Sequence, residues 1–384
     1  MSQAISHSAP KKIGILSSSR ADFSIYEPLI QTLTEDPQFE VHIIAFGTHL
    51  SKEHGHTIDA IETNGFTVAH AIDHCYANAD DPEAISQAMG RTLLEFSKLW
   101  TSERFDLVFC LGDRYEMLAA VLAAKPFNIP FAHLYGGETT LGAMDEAFRH
   151  SITHLSQWHF TGAEPYAERV KELTQRPDRI FNCGYINLDT LSRLNFISPE
   201  GMHERCGLDM SHPTLLVTMH PETERYPQTA TFADELCAAL EELTEFQVLL
   251  TMPNSDTHGH QIRNRVLDLQ KRRPGMVCVE NLGTLGYASA MKHCTAMLGN
   301  TSSGFVEASF FPKPVINLGQ RQEGRILTPN IAGCDFVKAD IVNLVRGHSQ
   351  KTFNPNSSAI YGQGHSTACI LEQLKTHIFP TLQP

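Results

Sequence analysis

The sequence predicts an α/β protein built from two open parallel-sheet domains facing a cleft, and three observations predict it. Short apolar runs break repeatedly into Gly beside polar or charged residues, as at Leu107–Leu111 before Gly112 and Asp113, and at 133–135 before Gly136, Gly137 and Glu138. Buried parallel strands end this way at the carboxyl edge of their sheet, where ligand loops begin. Helix-forming segments with an apolar face lie between such runs, 117–124 among them. The alternation then occurs twice, divided by a stretch at 191–213 that carries Pro199, Gly201, Gly207 and Pro213. At 384 residues the chain exceeds what one core usually reaches, so two domains of roughly 170 to 190 residues each are expected. We place them at 1–190 and 191–360, with 361–384 as a final helix returning toward the first domain.

In the first series, 11–16 reads as a strand, and Ser17, Ser18 and Ser19 form a small-residue turn that carries Arg20 into a helix starting near Phe23. Backbone donors at a helix start beside a guanidinium suit a phosphate. The spacing is not GxGxxG, so no dinucleotide fingerprint is present. A strand at 41–46 ends in Gly47, and the segment through Gly55 and His56 reads as a polar loop. His42, His49, His54 and His56 lack a ligand frame and are not read as a metal site. A weaker strand at 66–72 precedes a helix at 83–101, whose Ile85, Met89, Leu93, Phe96 and Leu99 make a core stripe.

The strand–helix–strand unit at 107–138 brings Asp113 and Glu138 to the same end of neighbouring strands. The next segment is helical from Met144, which puts Asp145 and Arg149 four apart and Glu146 beside His150. Several carboxylates around one cavity push a pKa upward and yield one acid and one base near neutrality. Strands at 158–160 and 179–183 close the domain, with a helix at 164–173 between them.

The second series has strands at 214–219, 246–251, 277–279, 296–299 and 314–318, with helices at 230–243 and 260–271. His220 sits just past the first of these strands. Past 296–299, Thr301, Ser302, Ser303 and Gly304 lead into a helix bearing Glu307, an anion-binding helix start with a carboxylate placed to accept from ribose hydroxyls. Arg321 and Arg325 supply guanidinium groups for a diphosphate. Ile370, Leu374 and Ile378 give the tail one apolar face.

Lys and Arg total 30 against 43 Asp and Glu, a net charge of −13, which argues against nucleic-acid binding. The nine Cys show no CxxC pairing and read as reduced core thiols. No apolar run approaches the roughly 18 residues of a membrane span, and residues 1–10 lack the apolar centre of a signal peptide, so a cytoplasmic location is expected.

SSSRAD at 17–22, GTHL at 47–50, LGDRYE at 111–116, GGETTLGAMDEAFRH at 136–150, TMHPET at 218–223, NTSSGFVEA at 300–308 and GQRQEGR at 319–325 together resemble the hydrolysing branch of the UDP-N-acetylglucosamine 2-epimerase family. The match runs in order over about 11–378. The resemblance implies two Rossmann-like domains in a glycosyltransferase-B-like arrangement, no metal, no nicotinamide cofactor, and a homodimer or a pair of dimers. It also implies catalytic roles for Asp113, Glu138, Asp145, Glu146 and His220. Arg20, Arg114, Ser302, Ser303, Glu307 and Arg321 match contacts to the UDP part of the substrate. GGETT, in place of the VEAG-like form of non-hydrolysing relatives, implies hydrolysis. Thr301 stands where Ser is common and Leu141 where Glu is expected.

Inverting C2 of a sugar nucleotide means removing a weakly acidic proton, so loss of UDP should lead, with positive charge developing on the ring. Arginines and helix-start donors stabilise the departing diphosphate. One carboxylate takes the C2 proton to leave a 2-acetamidoglucal, and a second returns a proton from the other face while water adds at C1. The expected substrate is UDP-N-acetylglucosamine, giving N-acetylmannosamine; the alternative is UDP-2,4-diacetamido-2,4,6-trideoxyglucose, which bears an acetamido at C4 and a methyl at C6. Non-hydrolysing epimerisation, glycosyl transfer and non-catalytic UDP-sugar binding are the further alternatives.

Overall fold

The computed structural model describes residues 9–52, 55–73, 82–139, 144–222, 225–253, 259–354 and 359–382. Two compact units divide the chain: one reaches Thr190 and resumes at Gly362, and the other is Leu191–Tyr361. Each holds one parallel sheet with helices on its faces.

The first sheet contains β1 (Lys11–Ser17), β2 (Phe39–Phe46), β3 (Val68–Ile72), β4 (Leu107–Leu111), β5 (Phe131–Leu134), β6 (Trp158–Thr161) and β7 (Ile180–Asn182). Their order is β3-β2-β1-β4-β5-β6-β7, so strand order reverses between β1 and β4. The loops after those two strands carry Ser18, Ser19 and Arg20, and Asp113 and Arg114. Open parallel sheets bind ligands at this reversal, outside the carboxyl ends of the strands. Strand β4 is buried throughout because helices cover both faces. Its core neighbours include Phe46, Phe96, Trp100 and Phe131. The Trp100 ring stands edge-on to Phe131 with centroids 6.0 Å apart, and its buried indole N–H donates to the Ala120 carbonyl at 3.2 Å.

The second sheet contains β8 (Thr214–Thr218), β9 (Gln247–Thr251), β10 (Met276–Val279), β11 (Ala296–Gly299), β12 (Val315–Leu318) and β13 (Ile331–Cys334), ordered β10-β9-β8-β11-β12-β13. The reversal lies between β8 and β11, which are followed by His220 and by Thr301, Ser302 and Ser303. Gly299 is required there: at φ +139°, a Cβ would lie 1.9 Å from the Thr218 carbonyl oxygen.

Several elements went unanticipated. Helices Gly201–Cys206, Gly283–His293 and Lys338–His348 and strand β13 are short or contain Gly, so their periodicity is weak. The first helix begins at Arg20, three residues before the expected start, because Ser19 caps it by accepting from the Asp22 N–H at 3.3 Å.

The tail forms helix Ser366–Gln373 and belongs to the first unit. Its start is held by fully buried Asp189, which accepts from the N–H groups of Ser366 and Thr367 at 2.8 and 2.7 Å and from the Thr367 hydroxyl at 2.7 Å. A carboxylate at a helix N-terminus satisfies orphan donors and suits the helix dipole. The reading of all cysteines as reduced is corrected here. Cys183 and Cys369 form a disulfide, their Cα atoms 5.6 Å apart across 186 residues of chain, a separation that leaves no local trace in sequence. Cys110, Cys206, Cys237, Cys278, Cys294 and Cys334 are free thiols, and burial pushes Cys110 and Cys294 up to about 12. Among the described residues, no helix is long and apolar enough to cross a membrane.

Candidate active site

At the β1 edge, Asp22 folds back from the first helical turn and accepts from the Ser18 N–H at 2.8 Å and the Ser18 hydroxyl at 2.6 Å. The serine loop is therefore fixed, with Arg20 exposed at the first position of the helix. Gly47 crosses this loop at φ +61°, where a Cβ would sit 2.6 Å from the Ser18 carbonyl oxygen. At the adjacent β4 edge, the Arg114 Nε donates to Glu116 Oε1 at 2.5 Å. Glu116 is fully buried, and burial pushes its carboxyl up against the opposing pull of Arg114.

Pairing of Leu111 with Leu134 aligns the ends of β4 and β5 and sets the loops of Asp113 and Glu138 side by side. Arg149 ties them together. Buried on helix Met144–Leu155, it ion-pairs with Asp113 and donates from Nη1 to the Glu138 carbonyl at 2.9 Å. The Glu138 carboxylate accepts from the Tyr185 hydroxyl. His133, inside β5, donates from Nε2 to the Gly112 carbonyl at 2.8 Å, and burial lowers it to about 3, so it is a neutral brace beneath Asp113.

Arg149, four residues on from Asp145, thus reaches across to Asp113. Asp145 is pushed up by burial first, with Arg114 and Arg149 pulling down, so crowding by other carboxylates is not what raises it. Glu146 lies 3.4 Å from the His150 Nε2 on the same helix.

In the second unit, buried Asn300 clamps the His220 backbone, accepting from its N–H at 2.7 Å and donating to its carbonyl at 2.9 Å. The Asn300 carbonyl accepts from Arg321 Nη1 at 3.3 Å and from Gln322 at 3.0 Å. Burial, aided by the Arg321 charge, lowers His220 to about 4. Buried Glu222 receives the N–H groups of Gln320 and Arg321 on one oxygen at 2.7 and 3.0 Å, and pairs with Arg225 through the other at 2.7 Å. Gly319, at φ +68°, makes this possible, since a Cβ would lie 2.2 Å from Glu222 Oε1.

Ser302 is exposed, whereas Ser303 is buried with its hydroxyl 2.7 Å from that of Tyr287. Ser302–Gly304 is a single 3-10 turn, and Glu307 opens the four-residue helix Glu307–Phe310.

The structure therefore gathers Asp113, Glu138 and Asp145 around Arg149, and His220 and Arg321 around Asn300. Sequence reasoning missed the positioning residues. Arg149, Glu222 and Asn300 lay inside quoted motifs, while Tyr185 acquires meaning only through a partner distant in the chain. Leu141, the rest of 140–143, His54 and residues 223–224 lie outside the described residues.

A family model described as UDP-N-acetylglucosamine 2-epimerase matches residues 31–375. The chain belongs to that family. It is 35% identical over 332 residues, covering 86% of both chains, to the hydrolysing GDP/UDP-N,N'-diacetylbacillosamine 2-epimerase of Campylobacter jejuni. It is 31% identical over 367 residues, covering 95% of this chain and 96% of the other, to the hydrolysing UDP-N,N'-diacetylbacillosamine 2-epimerase of Legionella pneumophila. Identity to the UDP-N-acetylglucosamine 2-epimerase of Neisseria meningitidis serogroup B is 26% over 336 residues, covering 88% and 87%. The crystal structure of a Neisseria meningitidis UDP-GlcNAc 2-epimerase bound to UDP-GlcNAc superposes with a TM-score of 0.76 at 17% identity, covering 95% of this chain and 100% of that one. That likeness establishes the family's two-domain glycosyltransferase-B-like fold here, and the relatives support a hydrolysing UDP-amino-sugar 2-epimerase.

Proposed function

We propose that the chain converts UDP-2,4-diacetamido-2,4,6-trideoxyglucose, that is UDP-N,N'-diacetylbacillosamine, and water to UDP and the free 2-epimer, 2,4-diacetamido-2,4,6-trideoxymannose. The reaction class rests on one observation: Asp113 and Glu138 stand at adjacent strand ends, joined by buried Arg149. Two carboxylates so held serve proton removal and return at C2. The choice of sugar rests on the names carried by relatives above 30% identity, and it replaces the sequence-based expectation of UDP-N-acetylglucosamine.

In this reading Arg20, Arg114 and Arg321 meet the diphosphate, Ser302 and Ser303 bind it by hydrogen bonds, and Glu307 accepts from the ribose. Asp145 and Glu146 complete the acidic set. With a pKa near 4, His220 is neutral at pH 7 and acts as a hydrogen-bonding partner, not as a cation. Loss of UDP leads, the C2 proton leaves to give the glycal, and reprotonation of C2 with addition of water at C1 completes a hydrolysis that runs one way.

Measuring kcat/KM on UDP-N,N'-diacetylbacillosamine and UDP-N-acetylglucosamine tests the assignment. A preference of about 100-fold for the former is expected, because a site shaped for the second acetamido group leaves polar partners unmatched by the other sugar. A comparable preference for UDP-N-acetylglucosamine would return the substrate to the original expectation. The GDP-linked diacetamido sugar belongs in the same series, since one relative's name covers both nucleotides. A cytoplasmic homodimer, or a pair of dimers, goes with this reading, and a monomer by light scattering would refute the assembly.

A further inference from the structure

Glu138 is fixed from two sides. Its backbone carbonyl accepts from Arg149, and the preceding Gly137, at φ +83°, passes so close to helix Glu164–Thr174 that a Cβ would lie 2.3 Å from the Tyr166 carbonyl oxygen. Its carboxylate accepts from the Tyr185 hydroxyl. Tyr185 is itself unusually well seated. Its ring stacks on Tyr135 with centroids 4.5 Å apart, and the Tyr135 hydroxyl accepts from the Ile186 N–H at 2.9 Å, so each tyrosine fixes the segment carrying the other. Tyr135 holds a left-handed backbone, φ +66°, that a bulky residue rarely adopts. Gly162 leaves the space for the Tyr185 ring: a Cβ at 162 would fall 2.0 Å from Tyr185 Cε2.

Three costly local choices thus converge on one phenolic hydroxyl. We propose that Tyr185 is a positioning residue that orients the Glu138 carboxylate for proton transfer at C2. This deepens the proposed function and rests on its assignment of Glu138. A hydroxyl that donates to one carboxylate oxygen fixes the rotation of the group, and a small misplacement of a proton-transfer group lowers the rate.

Tyr185→Phe keeps the ring, its stacking and its seat against Gly162. The expected result is a kcat about 10-fold lower with KM nearly unchanged, as loss of a hydrogen bond that orients a reacting group requires. Site-specific 3-fluorotyrosine keeps a hydroxyl donor of nearly the same shape and should hold kcat near the wild-type value, and it carries the test should the Phe variant not fold. A wild-type kcat in the Phe variant, a rise in KM alone, or a 3-fluorotyrosine variant as slow as the Phe variant overturns the proposal. Glu138→Gln separates the two levels: near-normal turnover in that variant defeats the assignment of Glu138, whereas an inactive Glu138→Gln beside a wild-type-like Tyr185→Phe defeats the inference about Tyr185 only.

Discussion

At the β1–β4 edge of the first sheet, charged side chains hold charged side chains: Arg114 bonds Glu116, and Arg149 bonds Asp113. At the β8–β11 edge of the second, side chains chiefly hold backbone: Asn300 clamps His220, and Glu222, itself paired with Arg225, collects the N–H groups of Gln320 and Arg321. Both edges are strand-order reversals, so topology alone does not distinguish them. Their physics does. Burying ion pairs costs desolvation that mutual attraction barely offsets, so such pairs are poor stabilisers, and their concentration at one strand edge points to chemistry. Satisfying backbone donors with a buried carboxylate freezes a loop, which suits recognition of a ligand whose shape is fixed. In the proposed reaction the first unit is therefore read as carrying the proton transfer, with Arg20 and Arg114 adding charge for the diphosphate, and the second as chiefly recognising the nucleotide.

The largest effect that tests this division is on turnover. Asp113→Asn should lower kcat by about 100-fold or more with the fold intact by circular dichroism, as proton-transfer or charge-stabilising roles require. If KM alone rises, the first unit is a binding half and the comparison fails.

Glu222→Ala should do the opposite, raising KM for the nucleotide sugar by about 10-fold with kcat nearly unchanged, since it frees two backbone N–H groups in the loop of Arg321. Glu222→Gln retains an oxygen for those N–H groups and should recover most of the loss. A fall in kcat in both would move chemistry into the second unit.

A third effect concerns acid stability. His220 has a folded value near 4 against an ordinary 6.5, so between these values the unfolded chain binds more protons than the folded one. Stability is then fully present above about pH 6.5 and is lost as pH falls toward 4, by on the order of 3 kcal/mol. His220→Asn cannot take up that proton, and urea titrations from pH 7 to 4 should show a shallower decline. An unchanged slope would mean that His220 is hydrated in solution.

How much of this was legible in sequence follows from how local each signal is. Short apolar runs disclosed nearly every strand, because burial on both faces writes itself into consecutive residues. Strand β13 escaped, having only four residues with Gly333 among them. Asp113 and Glu138 could be placed together because the β4–helix–β5 unit is contiguous. The Arg149–Asp113 pair, 36 residues apart, could not be read, because helix periodicity points only to the partner four residues away. Tyr185 lies 47 residues from Glu138 and Cys369 lies 186 from Cys183, and at such distances one sequence carries no pairing information.

The central claim is that the chain inverts C2 by removing and returning a proton while releasing UDP. Running the reaction on UDP-N,N'-diacetylbacillosamine in heavy water and recording proton nuclear magnetic resonance of the sugar tests it most directly. The account predicts free UDP together with a manno-configured sugar carrying one carbon-bound deuterium at C2. Free UDP with a gluco-configured sugar that keeps its C2 proton, or a UDP-linked epimer that persists, would contradict it.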